Sequence, residues 1–174
     1  MQSVYTLARD IKLLILDVDG VLTDGSIYFT PQGEEIKAFN TLDGHGLKML
    51  KDSGVELAII SGRSAPCVEH RARNLGITHL YLGYDSKRSA FADLLAQTGL
   101  NAEQCAYIGD DVIDLPVMRQ VKLAVAVPHS PNIVRSHAHY VTGAAGGRGA
   151  VRELCELIMQ AQGTLDHALA PYLA

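Results

Sequence analysis

Short, uninterrupted apolar runs punctuate the chain and alternate with stretches of helical spacing. Residues 12–16, 55–60, His79–Leu82, 105–108 and 121–127 read as buried strands, with a weaker run at 139–141. Between them, residues 44–51, 65–75, 86–97 and 112–119 carry the spacing of helices, and a last helix is expected over Ala150–Gln162. Continuous apolar strands alternating with helices predict βαβ units, hence a parallel sheet covered on both faces. The fold class is therefore α/β, a Rossmann-like three-layer architecture. One segment breaks the alternation. Residues 26–29 and 34–39 flank Thr30-Pro31-Gln32-Gly33, which reads as a β-hairpin placed as a flap over the end of the first strand.

In an open parallel sheet, ligands bind at the carboxyl ends of the strands. Those ends carry Asp17-Val18-Asp19, Ser61-Gly62-Arg63, Gly83 to Lys87, and Gly109-Asp110-Asp111-Val112-Ile113-Asp114. Acids, a hydroxyl and a lysine thus meet at one edge. Carboxylates delivered from two strands suit a hard cation such as Mg²⁺, which takes oxygen ligands and often substrate phosphate. A carboxylate can also attack phosphorus, provided cations and donors offset the charge on the phosphoryl oxygens. Lys87 and Ser61 can serve there, and a second acid two residues from the nucleophile, Asp19, can move the proton. Other readings stand beside these. Asp24 is expected to shape the turn before Gly25. Asp111 suits a helix start, Asp85-Ser86 suits a helix cap that would leave Lys87 solvated, and Arg71 could belong to a surface face.

Composition narrows the classes. The 174 residues are 48% hydrophobic and 20% charged with a formal charge of −4, which fits one globular domain and argues against nucleic-acid binding. The apolar runs are too short to span a membrane, and residues 1–10 do not resemble a signal peptide, so a cytoplasmic protein is expected. The three cysteines, Cys67, Cys105 and Cys155, form no CxxC pair and read as reduced packing residues. The seven histidines lack HxxxH spacing; His137 and His139 are a solvated edge rather than a zinc site.

The set DVDGVLTDG, SGR, a lone lysine after a strand, and GDDVIDLPVM resembles, in order, the four motifs of the haloacid dehalogenase superfamily of phosphatases. With FNTLDGHGLKML, GGRGAVRE and no room for a cap domain, the chain further resembles the 3-deoxy-D-manno-octulosonate 8-phosphate phosphatase family. The resemblance implies a cytoplasmic, Mg²⁺-dependent phosphatase acting through an aspartyl-phosphate, in the making of the sugar acid of lipopolysaccharide. It implies one domain over residues 1–174 and a homotetramer in which hairpins meet and neighbours supply the cap.

Residue by residue, the resemblance implies Asp17 as nucleophile and metal ligand, and Asp19 as general acid/base, ligating through its backbone carbonyl. Asp110 is the third ligand, chosen over Asp111 by the resemblance, with Asp114 behind the ligand set. Ser61 and Lys87 hold the phosphoryl group, and Asn40, Thr41, Asp43, Gly44, Lys48, Arg63 and Arg71 match the sugar-acid contacts. A substrate bearing a carboxylate and a phosphate makes sense of Lys48, Arg63, Arg71 and Lys87 in an acidic protein. The alternatives are a phosphatase for a nonulosonate 9-phosphate and a non-catalytic subunit of this fold. Ile27, Tyr28, Phe29, Ile36 and Phe39 make the hairpin apolar, so association is expected on physical grounds too. Gly146-Gly147-Arg148-Gly149 is either a flexible linker or a mobile segment reaching a site, and the tail 164–174 is either frayed or docked on a partner.

Overall fold

The computed structural model describes residues 3–173; Ala174, the end of the expected tail, and Met1 and Gln2 lie outside the described residues. Among the described residues there are eight strands: β1 Leu13–Leu16, β2 Tyr28–Phe29, β3 Glu35–Ile36, β4 Glu56–Ser61, β5 His79–Leu82, β6 Cys105–Gly109, β7 Leu123–Ala126 and β8 Tyr140–Val141. The helices are α1 Val4–Ala8, α2 Thr41–Asp52, α3 Pro66–Leu75, α4 Lys87–Thr98, α5 Leu115–Met118, α6 Asn132–Arg135, α7 Ala150–Gln162 and α8 Leu165–Leu173.

Six strands form one sheet in the order β5-β4-β1-β6-β7-β8, and every neighbouring pair is parallel. The period-two alternation of strand side chains divides the core. Leu14, Leu16, Leu57, Ile59, Ile108 and Val125 face one side, where α1, α2, α3 and α7 bring Leu7, Leu47, Leu50, Leu75, Leu154 and Ile158. Leu13, Ile15, Ile60, Tyr107 and Ala124 face the other, against Phe91, Leu94, Val117, Met118 and Val134 of α4, α5 and α6. All four residues of β1 are wholly inaccessible, and burying each such side chain contributes about 1.5–3 kcal/mol. That burial anchors whatever follows Leu16.

The chain leaves β1 for β4 and β5 on one side, then returns to β6, β7 and β8 on the other. The switch in direction opens a crevice at the carboxyl ends of β1 and β6. Register places Leu16 beside both Ile59 and Ile108, so Asp17 emerges level with the ends of β4 and β6.

The hairpin is a separate two-stranded antiparallel sheet, with Tyr28 opposite Ile36. Its turn closes as expected, Gly33 N–H donating to Thr30 carbonyl at 2.9 Å. Ile27, Tyr28, Phe29 and Ile36 are exposed. Phe39 departs from that set: it is half-buried against the main core and beneath the Arg71 guanidinium, 5.9 Å from its ring centroid.

Three elements had no clear periodic pattern: α1, α6 and α8 are short or poorly amphipathic, and tertiary contacts decide them. The expected helix over 112–119 is a 3₁₀ turn, Val112–Asp114, followed by α5 with Pro116 in its first turn. A proline there loses no helical hydrogen bond. α8 packs Leu165, Ala168 and Leu169 on the core, and Tyr172 meets His45 edge-on at 5.4 Å, so the described tail is docked on its own chain. Cys105 and Cys155 are buried free thiols and Cys67 is half-buried.

Candidate active site

The Asp17 N–H donates to Ile108 carbonyl at 3.1 Å, which carries the sheet register one residue beyond β1. Its Oδ1 accepts from Val18 N–H at 2.7 Å and lies 2.9 Å from Lys87 Nζ. Burial pushes the Asp17 pKa up to about 7, Asp114 adds to the rise, and Lys87 opposes it. Lys87 opens α4 after the cap residue Ser86, but its side chain turns inward and is only 3% exposed. The solvated-cap reading of Lys87 is thereby excluded. Its ammonium is 2.7 Å from Asp114 Oδ1 and donates to Tyr107 hydroxyl at 3.2 Å. Burial alone would lower the Lys87 pKa; Asp17 and Asp114 outweigh it and raise it.

Asp114 is fully buried and fully employed. Its Oδ1 accepts from Lys87 and from Tyr107 hydroxyl at 2.6 Å; its Oδ2 accepts from Asp110 N–H at 2.9 Å and Asp111 N–H at 3.1 Å. Four donors fill its acceptor sites. It therefore organises the loop behind the cluster rather than offering a free ligand oxygen, although carboxylate oxygens of Asp17, Asp110 and Asp114 all lie within 4.8 Å of one another.

Asp110 is raised to about 6, by burial first and then by Asp114 and Asp111. Carboxylate oxygens held this close form a site that suits a hard divalent cation. Asp17 and Asp110 fit Mg²⁺. The neighbouring Gly20 is required here, because its φ is +84° and a Cβ on it would lie 2.1 Å from Asp110 Oδ2.

Asp19 stands on the turn after Asp17, half-buried. Its Oδ1 pairs with Lys37 Nζ, and its Oδ2 is 3.9 Å from Arg63 Nε. Lys37 also lies 3.2 Å from Glu35 Oε2, and Glu35 Oε1 pairs with Arg63. Ser61 ends β4, buried, with its Oγ accepting from Arg63 N–H at 3.2 Å. Asp24 does shape the hairpin base: its Oδ1 accepts from Ser26 N–H at 3.0 Å, and that bond lowers its pKa. Asp111 caps the 3₁₀ turn through Val112 N–H at 2.7 Å.

The remaining expected contacts divide. Asn40 caps α2, its Oδ1 accepting from Leu42 N–H at 2.8 Å, and its carbonyl accepts from Arg71 at 3.2 Å. Gly44 lies directly against Arg71, so Asn40, Gly44 and Arg71 form one cluster. Asp43 is buried elsewhere, accepting from Arg152 N–H at 2.8 Å and Gly149 N–H at 3.3 Å as a cap for α7. Thr41 and Lys48 are exposed, and among the described residues Lys48 makes no ion pair.

The glycine-rich joint is neither a linker nor a mobile arm. Gly147 N–H donates to Val21 carbonyl at 2.8 Å, and Asn40 Nδ2 donates to Gly147 carbonyl at 3.2 Å. A Cβ on Gly146 would sit 1.7 Å from Gly20 carbonyl oxygen. The joint is packed against the turn that carries Asp19, and Arg148 reaches Asp24 at 3.4 Å.

Four residues of the site carried no local mark in the sequence: Lys37, Glu35, Tyr107 and Thr23. The first two stand two apart on the hairpin, a same-face spacing that could have pointed to them. Tyr107 is an aromatic in a strand, indistinguishable from core until its hydroxyl is seen beside Asp114. Thr23 Oγ1 accepts from Gly20 N–H at 3.3 Å and Gly25 N–H at 3.2 Å, stapling the acidic turn.

A model of the haloacid dehalogenase-like hydrolases matches residues 28–122. The chain is 54% identical over 166 residues to the 3-deoxy-D-manno-octulosonate 8-phosphate phosphatase KdsC of Escherichia coli K12, covering 95% of this chain and 88% of that protein. Among solved structures, it resembles the phosphatase of that name from Moraxella catarrhalis in complex with magnesium ion, phosphate ion and KDO. The TM-score is 0.95 at 45% identity, over 97% of both chains. The corresponding Yersinia pestis structure superposes with a TM-score of 0.92 at 54% identity, over 94% of this chain and 88% of that one.

Proposed function

Since the chain belongs to the haloacid dehalogenase-like hydrolases, within the 3-deoxy-D-manno-octulosonate 8-phosphate phosphatases, we propose how its own residues carry out that phosphatase reaction. The enzyme hydrolyses 3-deoxy-D-manno-octulosonate 8-phosphate to the sugar acid and phosphate, with Mg²⁺ as cofactor. Asp17 attacks phosphorus, forming an aspartyl-phosphate. Asp19 protonates the leaving sugar oxygen and then takes a proton from the water that releases phosphate. The observation that carries this reading is the buried Asp17 carboxylate, held at 2.9 Å by Lys87, which is held in turn by Asp114.

Bound Mg²⁺, held by Asp17, Asp110 and the Asp19 backbone carbonyl, supplies positive charge against the phosphoryl oxygens. Lys87 keeps Asp17 oriented and adds a second positive charge. Ser61 hydroxyl and the loop after β4 supply donors. The arginines Arg63 and Arg71, with Asn40, Thr41, Asp43, Gly44 and Lys48, are proposed to recognise the sugar acid. Asp43 serves in this indirectly, by fixing the start of α7 against the acidic turn. An open groove is lined by Gly62, Tyr84, Lys87, Arg88 and Ile113.

The apolar hairpin supports a homotetramer, with the whole chain as one phosphatase domain lacking a cap of its own. None of the described helices is long and apolar enough to cross a membrane, and we place the enzyme in the cytoplasm, in lipopolysaccharide precursor synthesis, on the family resemblance.

The test is phosphate release from a panel of sugar-acid phosphates with Mg²⁺. Release from the eight-carbon substrate, abolished by EDTA and restored by Mg²⁺, is expected. Preference for a nonulosonate 9-phosphate would overturn the substrate, and release from none of them would favour a non-catalytic subunit.

A further inference from the structure

The hairpin contributes a charged device as well as an apolar surface. Glu35 and Lys37 project from the same side of its second strand toward the loops after β1 and β4. The Lys37 side chain is wholly inaccessible to solvent, and its ammonium bridges Asp19 Oδ1 and Glu35 Oε2. Glu35 Oε1 holds Arg63, whose Nε lies 3.9 Å from Asp19 Oδ2. Four charges of alternating sign, from three separate segments, therefore close a ring around the Asp19 carboxyl. A buried ammonium survives only where its partners are specified closely, so the ring fixes its members' positions.

The two Asp19 oxygens are not equivalent. Oδ1 is taken by Lys37. Oδ2 has the distant Arg63 ion pair and no hydrogen bond among the described residues. A carboxyl free to rotate about its last bond would present either oxygen; one anchored through Oδ1 presents Oδ2 alone.

We propose that Lys37 is a positioning residue for the phosphatase reaction, pinning Asp19 Oδ1 so that Oδ2 carries the proton, with Glu35 as the counter-charge that holds Lys37 in place. The inference rests on Asp19 being the proton shuttle. In the first step an Asp17 carboxylate oxygen bonds to phosphorus and the phosphorus–sugar oxygen bond breaks. Its electron pair stays on the sugar oxygen, which takes the proton from Asp19 Oδ2. In the second, a water oxygen bonds to phosphorus as its proton passes to Asp19 Oδ2, and the bond to Asp17 breaks with its pair returning to the carboxylate.

A leaving group that needs no proton separates positioning from mere support. Single-turnover release is followed with two substrates, 3-deoxy-D-manno-octulosonate 8-phosphate and p-nitrophenyl phosphate, whose phenolate departs without protonation. Lys37→Met is expected to slow sugar-acid release by about 10- to 100-fold while changing p-nitrophenol release by less than about threefold. Lys37→Arg, which can still hold Oδ1, is expected to recover part of the loss. Equal losses on both substrates, or sugar-acid release within about twofold of wild type, would overturn the proposal.

Should Lys37→Met not fold, Glu35→Gln carries the same two readouts with the same expected asymmetry. Asp19→Asn is the reference. If it is impaired on the sugar-acid phosphate while Lys37→Met is not, the Lys37 inference fails alone. If Asp19→Asn is unimpaired, the shuttle itself is lost and the inference with it.

Discussion

At Asp17 and Asp110 the fold disfavours the charged form of the carboxyl. Their pKa values are raised to about 7 and about 6, chiefly by burial. The sign follows directly. A carboxyl raised above its unfolded value contributes stability below the unfolded pKa, and loses it as pH rises through the folded one. The metal-free protein should thus lose stability across that window. Mg²⁺ needs the carboxylates, so its affinity should rise over the same range. Thermal unfolding should show a larger Mg²⁺-induced rise in Tm at about pH 7.5 than at about pH 5.5. An equal shift at both would contradict the assignment of these acids as ligands. Tyr107 offers a second test at this scale. Tyr107→Phe removes a buried donor to the charged Asp114, and should cost about 1.5–3 kcal/mol in urea unfolding.

At the scale of elements, the joint between β8 and α7 acts as a wall for the acidic turn. Gly146 has room for no side chain, its would-be Cβ lying 1.7 Å from Gly20 carbonyl oxygen, whereas at Gly143 the nearest atom is 3.6 Å away. Gly146→Ala should therefore cost about 1–3 kcal/mol in urea unfolding and lower phosphate release, while Gly143→Ala should do neither. Equal behaviour of the two would refute the wall.

The same comparison shows where sequence reading works. β1, β4 and β6 were legible because strands buried on both faces read as unbroken apolar runs, and the acids at their ends stood out against them. Glu35 and Lys37 were not legible, since an alternating charged pair on a hairpin looks solvated until the hairpin is docked. The glycine run could be read as a flexible linker or as a mobile segment reaching a site for a related reason: glycine serves flexibility and close packing alike, and only the neighbouring Gly20 backbone decides between them. Asp43 was singled out only by the family resemblance, and its side chain caps a helix 109 residues further along the chain, a long-range contact with no local mark.

For the whole molecule, the net charge of −4 extends into the crevice, where Lys37, Arg63 and Lys87 are matched by Asp17, Asp19, Glu35 and Asp114, so an anionic substrate there calls for the added cation that Asp17 and Asp110 fit. The hairpin leaves Tyr28, Phe29 and Ile36 exposed, a surface that association would cover. Light scattering should find a tetramer at micromolar concentration, and Tyr28→Asp with Phe29→Asp should shift it to smaller species; a wild-type monomer would contradict this.

The central claim is that a carboxylate, Asp17, attacks phosphorus. Phosphate monoesters are so inert in water that removing the attacking group leaves little to fall back on. The most direct test is phosphate release from 3-deoxy-D-manno-octulosonate 8-phosphate by Asp17→Asn, checked for an intact fold by circular dichroism. A loss of about 10⁴-fold or more is predicted, and activity within about tenfold of wild type would contradict the account.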